Sequence, residues 1–324
     1  MTGVHGWLIL DKPVGLGSTQ AVSAVKRALR DGDYTRVKVG HGGTLDPLAS
    51  GVLPVALGEA TKLAGRLLDS DKVYEFTIRF GEERDTLDAE GKVVASSDVR
   101  PRPAEVEAML PRFTGEIEQV PPAFSALKVQ GARAYDLARA GEEIVLASRR
   151  VTVYALIRRP RESGDPSHAG STQFDAEEMG PRLRGDAGGL EQVTLTAHVS
   201  KGTYIRSLAR DIARALGTVG HVIQLRRTKA GPFDLDQVIS LDKLGEAGKR
   251  RGLEQHLLPL RAGLDDIPAL FLTPDQAGAL RQGRVLVGCA ADDGLHFALL
   301  DEMPVALVEV RDREVRVERG FNVP

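Results

Sequence analysis

The densest run of residues that could do chemistry is His41-Gly42-Gly43-Thr44-Leu45-Asp46-Pro47. Its paired glycines open backbone shapes closed to other residues, and Pro47 biases Asp46 towards an extended conformation. A loop built this way can thrust one carboxylate into a cleft. The same run also reads as an ordinary turn with a hydrogen-bonding aspartate, so its surroundings have to separate the two.

Ordered elements are expected on both sides of the loop. WLIL (7–10) reads as a short buried strand, and Ser18 opens a helix whose Ala21, Val22, Val25, Ala28 and Leu29 fall at helical spacing. VKVG (37–40) leads into the loop, VLPVALG (52–58) reads as a second strand, and EATKLAGRLL (59–68) as a helix. In KVYEFTIRFG, the two-residue period of a strand puts Tyr74, Phe76, Ile78 and Phe80 on one face and Glu75, Thr77 and Arg79 on the other. VTLTAHV (193–199) alternates in the same way. KGTY then leads into a helix with Ile205, Leu208, Ile212 and Leu216 at helical spacing, which Gly217 stops. The fold class is α+β.

Residues 160–190 are rich in Gly, Pro, Ser and charge and show no period, which predicts a surface insertion without catalytic residues. After QHLLPLRAGLDDIPAL the pattern resets. Thr273 caps a helix with Pro274 in its first turn and Gln276 completing a capping box, Gly283 ends it, and short strands follow. A domain boundary is expected near residue 263, as a chain of 324 residues exceeds one compact core.

Composition narrows the class. Apolar residues at 42% and charged residues at 27% are globular values, and no run approaches the about 18 apolar residues of a membrane helix. MTGVHGWLILDKPVG has neither the cationic start nor the small-residue cleavage pattern of a signal peptide, so the cytoplasm is expected. The single cysteine, Cys289, excludes an intrachain disulfide and a cysteine-based zinc cluster. The net charge of −2 does not mark a nucleic-acid binder, yet seven basic residues lie between Lys201 and Lys229 (Lys201, Arg206, Arg210, Arg214, Arg226, Arg227, Lys229) against the single acid Asp211. Such a run predicts a local positive face, though a solvated helix face has the same composition.

Six blocks, in order, carry a resemblance: GWLILDKPVG, KVGHGGTLDPLASGVLPVALGEATKL, KVYEFTIRFG, PPAFSALKVQGARAYDLAR, SKGTYIRSLARDIARALG and HVIQLRRTKAGPF. Together they resemble the bacterial TruB family, the tRNA pseudouridine-55 synthases, over nearly all of the first 240 residues. The resemblance implies a pseudouridine synthase catalytic domain over 1–262, with a central mixed or antiparallel sheet. The last residues, 263–324, resemble the small β-rich PUA-like RNA-binding domain appended to bacterial members.

By that resemblance Asp46 matches the family's nucleophile and Arg206, in GTYIR, the arginine that pairs with it and favours its charged form. Tyr74 matches the tyrosine that lies against the base near C5. A free phenol, with a pKa of about 10, is a weak base there and needs help from water, Asp46 or local tuning. Tyr204 and Leu225 match positions lining the uracil pocket, and His41 matches the histidine that stacks where the extruded base departed. Lys12, beside Pro13, and Lys62 of EATK would shape the entrance or meet phosphate. Attack at C1′, attack at C6 and removal of a ribose proton all remain open to the aspartate.

The implied reaction is redox-neutral, so no cofactor and no metal are expected. The implied partner is the T arm of tRNA, bound by a monomer without a membrane or an obligatory protein partner. A related synthase acting on another RNA is an alternative, and a tRNA-folding role could accompany catalysis. A non-catalytic RNA-binding protein would predict a damaged acid or arginine, whereas Asp46, Tyr74 and Arg206 are all present. A glycoside hydrolase would need a second acid in the key blocks, which they lack.

Overall fold

The computed structural model describes residues 4–34, 36–125, 127–129, 131–141, 146–159 and 189–323. The expected insertion at 160–190 lies outside the described residues except for its last two positions. The chain divides into two compact units, Met1–Lys72 with Arg226–Pro324, and Val73–Leu225.

In the first unit, β1 (Gly6–Lys12) runs antiparallel to β3 (Ala49–Leu57), with Gly6 opposite Leu57 and Lys12 opposite Gly51. Helix α1 (Ser18–Asp31) follows β1, and β2 (Val39–His41) pairs with the end of β3, His41 opposite Val55. Val52, Leu53, Val55, Ala56 and Leu57 are all buried, the continuous apolar run of a strand covered on both faces.

The helix expected over 59–68 is broken: a 3₁₀ turn, Gly58–Lys62, gives way to a short helix, Ala64–Asp69. Ala60, Leu63 and Leu67 must all point inward. The step of three from 60 to 63 suits a 3₁₀ turn, and the step of four from 63 to 67 suits an α-turn.

The Thr273 cap forms as its sequence predicts. Its hydroxyl accepts from the Gln276 N–H at 3.3 Å, while the Gln276 side chain accepts from the Thr273 N–H at 2.9 Å, opening the helix Pro274–Arg281. The C-terminal sheet has five strands, in the order Ala269–Phe271, Gly294–Leu300, Met303–Arg311, Glu314–Gly320 and Leu286–Val287; only the first pairing is parallel. Phe297, Leu299, Leu307 and Phe321 share a core with Trp7, Ile9, Val52 and Leu260, and the Trp7 indole donates to the Leu260 carbonyl at 3.2 Å. The C-terminal sheet and β1 are thereby parts of one unit.

In the second unit, β4 (Lys72–Phe80) neighbours the strand Gln192–Val199, followed by Arg149–Arg158 and Gly115–Gln119. Helix Ile205–Ala215 lays Ile205, Leu208, Ala209 and Ile212 on Phe76, Ile78 and Phe80. The strict alternation expected for β4 fails at Thr77, which is 2% exposed. Its hydroxyl lies 2.9 Å from that of Thr194 and donates to Gln224 Oε1 at 3.2 Å, so burial there is hydrogen-bonded and not apolar.

Most of the cations in the basic run from Lys201 to Lys229 are engaged within the unit that carries them. Arg206 and Arg227 are buried, Arg214 pairs with Glu83 and Arg210 with Asp211, and Arg226 makes a two-pronged pair with Asp11 at 2.9 and 3.0 Å. Net composition hid this because most of these charges are spent on partners within the protein.

Candidate active site

Asp46 stands on a loop whose backbone is held on both sides. The Ser18 hydroxyl donates to the Leu45 carbonyl at 2.9 Å and accepts from the Leu45 N–H at 2.8 Å. The Pro47 carbonyl accepts from the Gly15 N–H at 2.8 Å and from Lys12 Nζ at 3.4 Å. The Asp46 carbonyl itself accepts from the Ala49 N–H at 3.0 Å, closing a turn. Gly43 sits at φ +133°, a backbone conformation that other residues rarely adopt. At Gly42 an added Cβ would come within 2.7 Å of the Leu67 side chain. The two glycines therefore serve shape and close packing respectively.

Lys12 is fully buried at the end of β1. Its ammonium also donates to the carbonyls of Pro13 at 2.9 Å and Leu16 at 2.6 Å. Burial pushes its pKa down to about 8, with the Asp46 carboxylate opposing the shift and the Arg227 guanidinium adding to it. Lys12 and Asp46 are thus brought together, with the lysine as a buried brace beneath the loop.

Arg227, 1% exposed, is the neighbour that sequence reading missed. Its Nε donates to the Val52 carbonyl at 2.8 Å, Nη1 to that of Thr44 at 3.4 Å and Nη2 to that of Gly43 at 3.4 Å. Half-buried His41 begins the same loop; burial first, then the Arg227 charge, hold its imidazole below its usual pKa and so neutral near pH 7. Lys62 is drawn elsewhere: its ammonium lies 2.6 Å from Glu59 Oε2 and donates to the Gly320 carbonyl at 2.8 Å.

In the second unit, Arg206 is 6% exposed on the first turn of helix Ile205–Ala215. Nη1 lies 3.1 Å from Asp88 Oδ2 and donates to the Thr86 carbonyl at 2.8 Å, and Nη2 donates to the Phe124 carbonyl at 3.0 Å. Asp88 is itself held by the Thr86 hydroxyl at 2.6 Å and the Glu90 N–H at 3.1 Å. The preceding Leu87, buried at φ +62°, has a strained backbone that turns the chain at this point. In sequence Asp88 is one acid among several in GEERDTLDAEG, and nothing but a long-range contact distinguishes it.

Tyr204 lies at the N-terminal end of that helix. Its N–H donates to Gln119 Oε1 at 2.7 Å and its carbonyl accepts from Gln119 Nε2 at 3.1 Å. The Arg149 guanidinium lies 4.6 Å from the centre of the Tyr204 ring, a cation–π contact. Neither Gln119 nor Arg149 carries a motif that singles it out. Tyr74 and Leu225, both half-buried, flank the apolar cluster that contains Phe76 and Ile205. Tyr204, Arg206, Tyr74 and Leu225 are in this way supported by one core.

A sequence profile described as TruB family pseudouridylate synthase, N-terminal domain, matches residues 30–165, and one described as tRNA pseudouridylate synthase B C-terminal domain matches residues 206–265. The chain is similar to tRNA pseudouridine synthase B of Novosphingobium aromaticivorans, at 60% identity over 99% of this chain and 98% of that one. It is also similar to tRNA pseudouridine synthase B of Zymomonas mobilis, at 56% identity over 98% of this chain and 96% of that one. Among solved structures, a chain of an H/ACA ribonucleoprotein bound to a substrate RNA containing 2′-deoxyuridine shares the fold, with a TM-score of 0.68 and 24% identity over 98% of this chain and 85% of that one.

Proposed function

The chain belongs to the TruB family of pseudouridylate synthases, and from that premise we propose that it is a tRNA pseudouridine synthase that isomerises one uridine of the T loop. The bond from ribose C1′ to N1 of uracil breaks, the freed base turns, and C1′ bonds to C5. The proton lost from C5 is balanced by the one N1 gains, so neither an electron carrier nor a phosphate donor enters the reaction.

Asp46 is the nucleophile in this reading. The observation that carries it is the fixed backbone around that residue: Leu45 is bonded twice by Ser18, and the Pro47 carbonyl is bonded by Gly15 and Lys12. Presenting a carboxylate from a preorganised loop is worth far more to a chemical step than presenting it from a mobile one.

Arg206 takes the family's arginine role, and its burial beside Asp88 supports a fixed orientation. Tyr74 lies against the base and assists proton loss from C5, while Tyr204 and Leu225 line the uracil pocket. His41, neutral and half-buried, stacks where the base departed. Lys12 shapes the entrance from beneath the loop. Lys62 has two of its three N–H donors on Glu59 and Gly320, which leaves one for phosphate.

Residues 1–262 form the catalytic domain and 263–324 a PUA-like RNA-binding domain, in a cytoplasmic monomer that needs no protein partner. Among the described residues no helix is long and apolar enough to cross a membrane.

Base-resolved pseudouridine mapping on unmodified tRNA, ribosomal RNA and small nuclear RNA transcripts tests the substrate. Conversion of a single T-loop uridine in tRNA alone is expected. Conversion in one of the other RNAs, with tRNA untouched, moves the enzyme to a different branch of pseudouridine synthases, and binding without conversion makes it an RNA-binding protein.

A further inference from the structure

The buried Arg227 has no part in the reading above, and its surroundings are unusual for a structural arginine. Its guanidinium spends its hydrogen bonds on three backbone carbonyls, those of Val52, Thr44 and Gly43. Burying a cation against neutral groups is costly when its only task is to satisfy carbonyls, which an uncharged donor could do as well. The geometry of the three acceptors suggests what the fork measures.

Val52 is anchored in β3 and faces Asp11 of β1 in a continuous ladder. Gly43 and Thr44 belong to the loop that carries Asp46 and lie outside any strand. One rigid planar group therefore spans a fixed strand and a loop, setting the separation between them. Two glycines make the approach feasible. Gly43 turns its carbonyl towards the guanidinium at φ +133°, and Gly51 at φ +100° lies so close to the Arg227 backbone that an added Cβ would meet its carbonyl oxygen at 2.2 Å. Beyond these contacts, Ser18 takes Leu45 and Lys12 takes Pro47, so the backbone on each side of Asp46 is fixed from below.

We propose that Arg227 is a positioning residue for the nucleophile loop: by bridging the Val52 carbonyl to those of Gly43 and Thr44 it sets how far the Asp46 carboxylate stands out from β3, and it acts on the chemical step rather than on RNA affinity. This rests on the reading of Asp46 as nucleophile. A lysine does not replace it, because a single ammonium lacks the rigid fork whose separate nitrogens reach Val52, Thr44 and Gly43. The charge also lies beside His41 and Lys12 and favours the neutral form of each.

The test uses the full chain and a T-loop-containing tRNA transcript, with the single-turnover rate at saturating enzyme, the RNA dissociation constant and the melting temperature measured for Arg227→Met, Arg227→Lys and Phe233→Leu. Phe233 packs against Trp7 and makes none of the hydrogen bonds that hold the loop, so its variant serves as the control for loss of stability. Both Arg227 variants are expected to lose about 100-fold in rate at saturation, with affinity within about threefold of wild type. Phe233→Leu keeps the wild-type rate despite a lower melting temperature. The inference is overturned by an Arg227→Lys or Arg227→Met enzyme that reacts at the wild-type rate when saturated, by a loss confined to affinity, or by an equal loss of rate in Phe233→Leu. A wild-type chain that converts no uridine overturns both this inference and the function it rests on.

Discussion

Ser18 and Leu45 bond to each other twice, the hydroxyl donating to the Leu45 carbonyl at 2.9 Å and accepting from its N–H at 2.8 Å. One side chain at the first turn of α1 thus satisfies both backbone groups of the residue before Asp46, and Ser18 is itself buried. Ser18→Ala leaves a buried donor and a buried acceptor without that partner, at a cost of about 1–3 kcal/mol in stability. The saturating rate should fall by about tenfold or more, as the loop gains freedom, with RNA affinity unchanged. Urea unfolding and single-turnover kinetics measure the two effects; loss of stability with the rate intact would show that the loop does not need the clamp.

Asp88 orients Arg206 from a distance of 3.1 Å, both side chains being at most one-tenth exposed. Asp88→Ala removes one partner of a buried pair and should destabilise the protein by about 3–5 kcal/mol. Asp88→Asn retains an acceptor and should cost less. Denaturant titration of the two variants distinguishes this pair from a surface pair, for which the alanine variant would cost at most about 1 kcal/mol.

Lys12 predicts effects of opposite sign on stability and rate. Its pKa in the folded chain is about 8, below the ordinary 10.5, so the native state releases the proton first. Between these values the unfolded chain binds more protons, and this residue's contribution to stability rises with pH. The rate should decline over the same interval, because the neutral amine grips the Pro13, Leu16 and Pro47 carbonyls more weakly. A pH–rate profile at saturation checks this: a descending limb near pH 8 is expected, and a flat profile through pH 9 would remove Lys12 from any role in holding the loop.

Lys62 is the sharpest question among the proposed RNA contacts. A lysine that meets phosphate adds to the salt dependence of binding, so Lys62→Ala would reduce the magnitude of the slope of log K against log salt by about one. With its ammonium engaged by Glu59 and Gly320, the expected outcome is an unchanged slope and a lower melting temperature. A slope reduced by one unit, with stability unaffected, would show that the lysine meets phosphate in the RNA complex.

Local periodicity made much of the fold legible. WLIL and VTLTAHV lie in strands, and the helices opened by Ser18 and capped by Thr273 begin as their sequences predict. It failed where a contact distant in sequence overrides the local pattern. Thr77 is buried because its hydroxyl bonds to that of Thr194 and donates to Gln224 Oε1, and the 59–68 segment breaks because Ala60, Leu63 and Leu67 must share one inward face. The site divides in the same way. The glycines, Asp46 and Pro47 are contiguous and draw attention as a block, whereas Arg227 looked like one charge in a basic run and Asp88 like one acid in a turn. Their burial and partners are set by residues that lie as far as 184 positions away, which composition cannot report.

In the proposed function, the Asp46 carboxylate drives cofactor-free isomerisation of one T-loop uridine. This role is tested most directly by mapping pseudouridine in an unmodified tRNA transcript after incubation with wild type and with Asp46→Asn, without any added cofactor. Conversion of a single T-loop uridine by wild type, and none by a folded Asp46→Asn that still binds the transcript, is the predicted result. Equal conversion by both proteins, or none by wild type on a transcript it binds, would contradict it.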